Sequence, residues 1–200
     1  MCRLIESIKV VDGQLLNIDY HNARFNRSRR ELFNCTDEVD LRDGIDIPLD
    51  LPRAVHKCRV EYAAGIERVE FTKYQRRTIN TLTLVECDTI EYAHKYVDRT
   101  GIHQLLEGIV TDDILIVKHG LITDTSFANI VFHDGARWLT PATPLLPGTA
   151  RARLLDHRTI IAQEIRVSDL RHFAKAAIIN AMLDLNDECT IRMEAITPCS

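Results

Sequence analysis

Apolar and polar positions alternate closely enough along Leu4-Ile5-Glu6-Ser7-Ile8-Lys9-Val10-Val11 to predict a strand. The run stops at Asp12-Gly13, a dipeptide that readily supplies the two positive φ angles of a tight hairpin turn. Leu15, Leu16 and Ile18 then predict a short return strand. Asp19 is placed to cap a helix over 20–33, on which His21, Arg24 and Ser28 recur along one face. The polar stretch 35–52, with Asp43-Gly44 and prolines at 48 and 52, predicts a loop with room for one short helix. Three strands follow at 57–62, 66–74 and 78–85, and their patterning predicts an antiparallel sheet with one wet face.

The style changes from about residue 93. A helix is expected over 97–106 and a buried strand at 114–117 that ends at His119-Gly120. Further strands are expected at 127–133 and 137–140, joined through Asp134-Gly135. The proline-rich stretch 140–147 must be loop, and Gly148 opens a helix that runs to about 157. A strand at 159–166, a short helix capped by Ser168, a last buried strand at 174–180 and a tail complete the expectation. The shift near 88–94 is the expected boundary between a small N-terminal α/β domain (1–90) and a larger C-terminal domain (91–200).

Composition narrows the function classes. The 200 residues are 46% hydrophobic and 27% charged, as in ordinary globular proteins. A net charge of −4 argues against a chain whose main task is coating nucleic acid or an anionic membrane. The longest apolar runs, such as 114–117, fall well short of a membrane span, and the first residues lack a secretory pattern. A cytoplasmic location is the expectation. The six cysteines form no CxxC pair, so neither a disulfide nor a metal is expected.

Four features carry candidate chemistry, and each has a plain structural alternative. In Leu146-Pro147-Gly148-Thr149-Ala150-Arg151 a glycine opens a helix whose N–H groups suit a phosphate, although many loop-to-helix junctions look the same. Arg24 can clamp a phosphate, although a surface arginine is usually just solvated. Asp124 stands before a strand, where an aspartate commonly forms a turn. Lys95 offers an amine, although a single lysine is most often a solvated charge.

Their order and spacing together resemble the class IV aminotransferases, the fold type IV pyridoxal-phosphate enzymes, with motifs nearest those of aminodeoxychorismate lyase. Glu6-Ser7-Ile8 before Asp12-Gly13 resembles the family's first strand pair, and His21-x-x-Arg24-Phe25-x-x-Ser28 its first helix. Lys95-x-x-Asp98-Arg99, Asp124 through Asn129-Ile130, Thr140-Pro141, Leu146 to Arg151 and Asn180-Ala181-Met182-Leu183 resemble the later motifs. The likeness runs from residue 5 to about 185.

The resemblance implies a two-domain α/β fold of the D-amino acid aminotransferase kind, with pyridoxal 5′-phosphate in the cleft between domains, and a homodimer. It implies that Lys95 carries the cofactor as a Schiff base and moves the substrate Cα proton. It implies that Asp124 sits beside the ring nitrogen, and that Arg24, Asn129, Thr149, Ala150, Asn180 and Ala181 complete the cofactor site. The family's glutamate is Asp124 in this chain, one of its threonines is Ala150, and one of its asparagines is Asp98. The lyase's arginine-bearing substrate loop and the family's opening strand have no counterpart. Tyr74 and Arg77, with Arg76, are candidates for a substrate carboxylate by charge alone. Lyase, branched-chain or D-amino acid aminotransferase, a pyridoxal-phosphate binder without turnover, and a phosphate-ester enzyme that does not use Lys95 all remain open.

Overall fold

The computed structural model describes residues 2–185 and 190–198. The architecture is mixed α/β, mostly sheet with few helices, and the chain divides into two compact units. The first comprises Met1–Arg76 with His94–Asp98, the second Arg77–Ala93 with Arg99–Ser200.

In the first unit β1 (Leu4–Val11), β2 (Gln14–Leu15), β3 (His56–Tyr62) and β4 (Ile66–Lys73) form an antiparallel sheet of order β2-β1-β3-β4. Asp12 and Gly13 take φ of 48° and 73°, the pair of left-handed values a two-residue hairpin requires. The return strand is shorter than expected, because Ile18 already belongs to helix α1 (Ile18–Phe33). The cap is Asn17 and not Asp19; Asn17 is left-handed and makes no side-chain cap bond, while Asp19 sits in the first turn, where a negative charge suits the helix dipole. The hydrophobic core of this unit gathers Leu4, Ile8 and Val10 of β1, Phe25 of α1, and Cys58, Val60 and Tyr62 of β3. The Phe25 and Tyr62 rings meet at 4.4 Å. Arg29 ties the following loop to the helix, donating through Nη2 to Asp37 at 2.9 Å and through Nε to the Ala64 carbonyl at 2.7 Å.

The segment 94–98 adds to this unit along β1: Ile5 N–H donates to the Lys95 carbonyl and Val97 N–H to the Arg3 carbonyl, both at 2.9 Å. Leu4 therefore pairs with Tyr96. His94 is also tied to α1, with its Nδ1 3.1 Å from Ser28 Oγ.

The second unit is built on β5 (Leu82–Glu86), β6 (Asp113–Lys118), β7 (Leu121–Thr125), β8 (Asn129–His133), β9 (Trp138–Pro141), β10 (Ile160–Gln163), β11 (Lys175–Ile179), β12 (Thr190–Arg192) and β13 (Ile196–Pro198). The main path runs β10-β9-β8-β7-β6-β5-β13, and β11 branches from β8 to carry β12. Helices α2 (Thr100–Leu105) and α3 (Thr149–Asp156) complete it. Val131, Leu154, Ile160, Ala177 and Ile179 form one buried cluster beneath α3.

Several expectations are corrected in this unit. β5 does not extend the antiparallel sheet; it lies parallel to both β6 and β13. Its β-branched residues specify a strand but not its partner. β7 was not expected as a strand: Leu-Ile-Thr-Asp-Thr offers only two apolar residues, yet four of its five positions are buried. The helix expected over 97–106 is confined to α2, since residues 95–97 are bound to β1. The short helix after β10 (Val167–His172) is capped at Arg166, whose N–H is accepted by Asp169 at 2.8 Å, and not by Ser168. The stretch expected as a tail contributes β12 and β13. Among the described residues no helix is long and apolar enough to cross a membrane, and no cluster of His, Cys, Asp or Glu could hold a metal ion. Cys2, Cys35, Cys58 and Cys87 are free thiols; Cys189 and Cys199 lie outside the described residues.

Candidate functional site

The candidate residues fall into two groups, one in each unit. In the first, Leu4, Glu6, Ile8 and Val10 share one face of β1 by the two-residue period of a strand, so a carboxylate interrupts an apolar row. Helix α1 answers it. Arg24 donates through Nε to Glu6 Oε1 at 2.8 Å and through Nη2 to Glu6 Oε2 at 2.5 Å, and His21 Nδ1 lies 2.6 Å from Oε2. All three side chains are buried.

Burial would raise the Glu6 carboxyl, but the Arg24 guanidinium and the bonds from His21 and Arg24 outweigh it and hold the group at about 2. Glu6 is therefore an ionised acceptor, and His21 must carry its proton on Nδ1. The His21 pKa is lowered, first by burial and further by the charges of Arg24 and Lys95, against the pull of Glu6. Lys95 is half-buried, with its backbone fixed beside Ile5 and its charge felt at His21. Glu6 escaped the list of expected site residues, although its signal was present: one acid in an otherwise apolar alternation.

In the second unit β7 turns directly into β8, and the single pair between them sets Asp124 opposite Asn129. Asn129 Nδ2 donates to Asp124 Oδ1 at 2.7 Å and to the Leu146 carbonyl at 2.9 Å, while Leu146 N–H donates to Asp124 Oδ2 at 2.9 Å. The acid belongs to a strand and not to a turn. Burial raises its carboxyl to about 6, against the lowering influence of the Leu146 and Asn129 bonds and of the Arg151 charge. Arg151 is itself buried, donating through Nη2 to the Pro141 carbonyl at 2.8 Å.

The N-terminus of α3 is locked to the same cluster. A Cβ at Gly148 would lie 1.9 Å from Asn129 Oδ1, so no other residue fits unless that side chain moves. Thr149 and Ala150 follow as the buried first residues of the helix. Asn180 and Ala181 belong to a tight turn after β11: Asn180 Oδ1 accepts from Met182 N–H at 2.8 Å and Leu183 N–H at 3.1 Å. The Asn180 side-chain oxygen is thus engaged in shaping its own turn.

Tyr74 and Arg77 lie beyond the end of β4 and not on a strand, and they fall in different units. Tyr74 N–H donates to the Val55 carbonyl at 2.9 Å. Arg77 donates through Nη2 to the Asp112 carbonyl at 2.9 Å and stacks over Phe127, 4.9 Å from the ring centroid.

Residues 94–185 match the family model for class IV aminotransferases. A crystal structure from Haemophilus somnus, provisionally assigned as 4-amino-4-deoxychorismate lyase, is 34% identical over 92% of this chain and 98% of that one, with a TM-score of 0.86. This chain belongs to the class IV aminotransferase family. An uncharacterized protein of Haemophilus influenzae is 37% identical over 91% of this chain and 98% of its own. A hypothetical aminotransferase from Mycobacterium tuberculosis, solved in a PLP-bound form, shares the fold at 17% identity and a TM-score of 0.78, covering 97% of this chain and 81% of that one. The expected fold type IV architecture is the one observed.

Proposed function

We propose that the chain is a pyridoxal 5′-phosphate enzyme acting on an amino-acid-like substrate with aminodeoxychorismate lyase activity, releasing pyruvate and 4-aminobenzoate. The observation that carries the cofactor is Asp124. The carboxylate has about four acceptor positions, and the Asn129, Leu146 and Leu145 N–H groups do not fill them, so Asp124 can take a further N–H donor. A buried acid raised to about 6 is short of positive charge, and a protonated ring nitrogen supplies it. These residues fit the group.

When bound, the cofactor supplies an electron sink for bonds broken at the substrate Cα. Asp124 would hold the proton on the ring nitrogen. The Thr149 and Ala150 amides at the α3 N-terminus, with Arg24, would hold the phosphate. The Lys95 amine would attach the cofactor and, once released from it, move the Cα proton. Support for lyase chemistry comes from the 34% identical relative that carries that provisional assignment. On the family's habit we extend the proposal to a homodimer, twice 22.9 kDa in solution.

The test is a product screen on the reconstituted protein. Pyruvate and 4-aminobenzoate released from aminodeoxychorismate are expected. Amino-group transfer to a 2-oxo acid without pyruvate release would replace the lyase with an aminotransferase. No change in cofactor absorbance across a panel of amino compounds would leave only a binder.

A further inference from the structure

We infer that Glu6, seconded by His21, is a positioning residue for Arg24: it occupies the Nε–Nη2 edge of the guanidinium, fixes the charge in place, and acts on phosphate recognition only through that arginine. The inference rests on the pyridoxal-phosphate reading above.

The geometry is specific. An arginine on a helix has several rotatable bonds and would spend orientational entropy to meet an anion. Two parallel bonds from Nε and Nη2 to one carboxylate remove most of that freedom before any ligand arrives. They also commit the Nε–Nη2 edge of the guanidinium to Glu6. This differs from the bidentate phosphate clamp that an unconstrained arginine would offer.

His21 completes the device. Its Nδ1–H fixes the same Glu6 oxygen that Arg24 Nη2 reaches, so the carboxylate cannot rotate away with the arginine. The buried trio then consists of one anion, one cation and one neutral imidazole. Its cation is kept at the helix face while the pair's net charge stays near zero.

The experiment titrates the full chain, stripped of cofactor, with pyridoxal 5′-phosphate and separately with pyridoxal, which lacks the phosphate. Wild type is compared with Glu6→Gln, Arg24→Lys and the double variant. Glu6→Gln is expected to weaken pyridoxal 5′-phosphate by about tenfold or more, the scale of one charge-assisted hydrogen bond, with pyridoxal unchanged. The double variant is expected to be no weaker than Arg24→Lys alone, because Glu6 has nothing left to act through. Equal losses for both ligands, additive losses in the double variant, or a Glu6→Gln affinity equal to wild type would overturn the inference. Should circular dichroism show Glu6→Gln unfolded, His21→Gln carries the same comparison, with a severalfold loss expected for the phosphorylated ligand only. Wild type that binds neither ligand overturns the cofactor reading itself, and this inference with it. Wild type that binds normally beside an unaffected Glu6→Gln overturns only the inference.

Discussion

The buried carboxylates of Glu6 and Asp124 are treated in opposite ways, and their difference is chemical. Glu6 has a guanidinium bonded to it and is held at about 2; Asp124 accepts bonds from neutral donors, feels the Arg151 charge without a bond to it, and is raised by burial to about 6. The first is a satisfied anion, the second an anion short of its counter-charge. Asp124→Asn is therefore expected to keep cofactor binding and lose at least about a hundredfold in kcat, the scale of removing one electrostatic stabiliser. Spectral titration and steady-state rates check both halves. For Glu6 the folded pKa lies below the unfolded one, so its stabilisation is fully present above about pH 4.5 and lost as pH falls towards 2. The stability gap between wild type and Glu6→Gln, from urea melts, is expected to be widest above pH 4.5 and to narrow below it. Lys95, Arg24 and Asp124 were legible in the sequence as candidates, because the family's spacing marks them. The ion pair between Arg24 and Glu6 was not, since it joins residues that only the packing of α1 on β1 brings together.

At the scale of elements, the β7–β8 turn and the α3 N-terminus behave as one piece, joined through Asn129 and Gly148. Gly148→Ala would drive a methyl group into Asn129 Oδ1 and displace the side chain that bonds Asp124. A loss of about 1–3 kcal/mol of stability is expected from the overpacking, measured by thermal or urea unfolding. A parallel drop in kcat is expected from the disturbed acid. Hairpin turns and the helices α1 and α3 were readable from local chemistry: Asp12-Gly13 and His119-Gly120 take the positive φ values their types favour. β7 was hidden because its buried threonines satisfy themselves on neighbouring backbone, Thr123 Oγ1 donating to the Ile116 carbonyl at 2.8 Å, and so need no apolar alternation. The parallel pairing of β5 and the late strands β12 and β13 depend on contacts distant in sequence, which periodicity does not encode.

For the whole molecule, the soft boundary expected near 88–94 stands beside a division that leaves the first unit at Arg76 and returns to it for His94–Asp98. That excursion has a physical purpose in the first unit: it fixes the backbone of Lys95 against β1, two positions after the chain has left the second unit. A ligand bound only by the folded chain raises its apparent stability, by about 2.7 kcal/mol at a hundredfold excess over Kd. Pyridoxal 5′-phosphate is expected to raise the melting temperature of wild type by several degrees and that of Lys95→Ala by clearly less. Borohydride reduction of the reconstituted protein, followed by peptide mass mapping, reads the proposed attachment at Lys95 itself. A pyridoxyl group on Lys95 is expected; a label on another lysine, or none at all, would rule the attachment out.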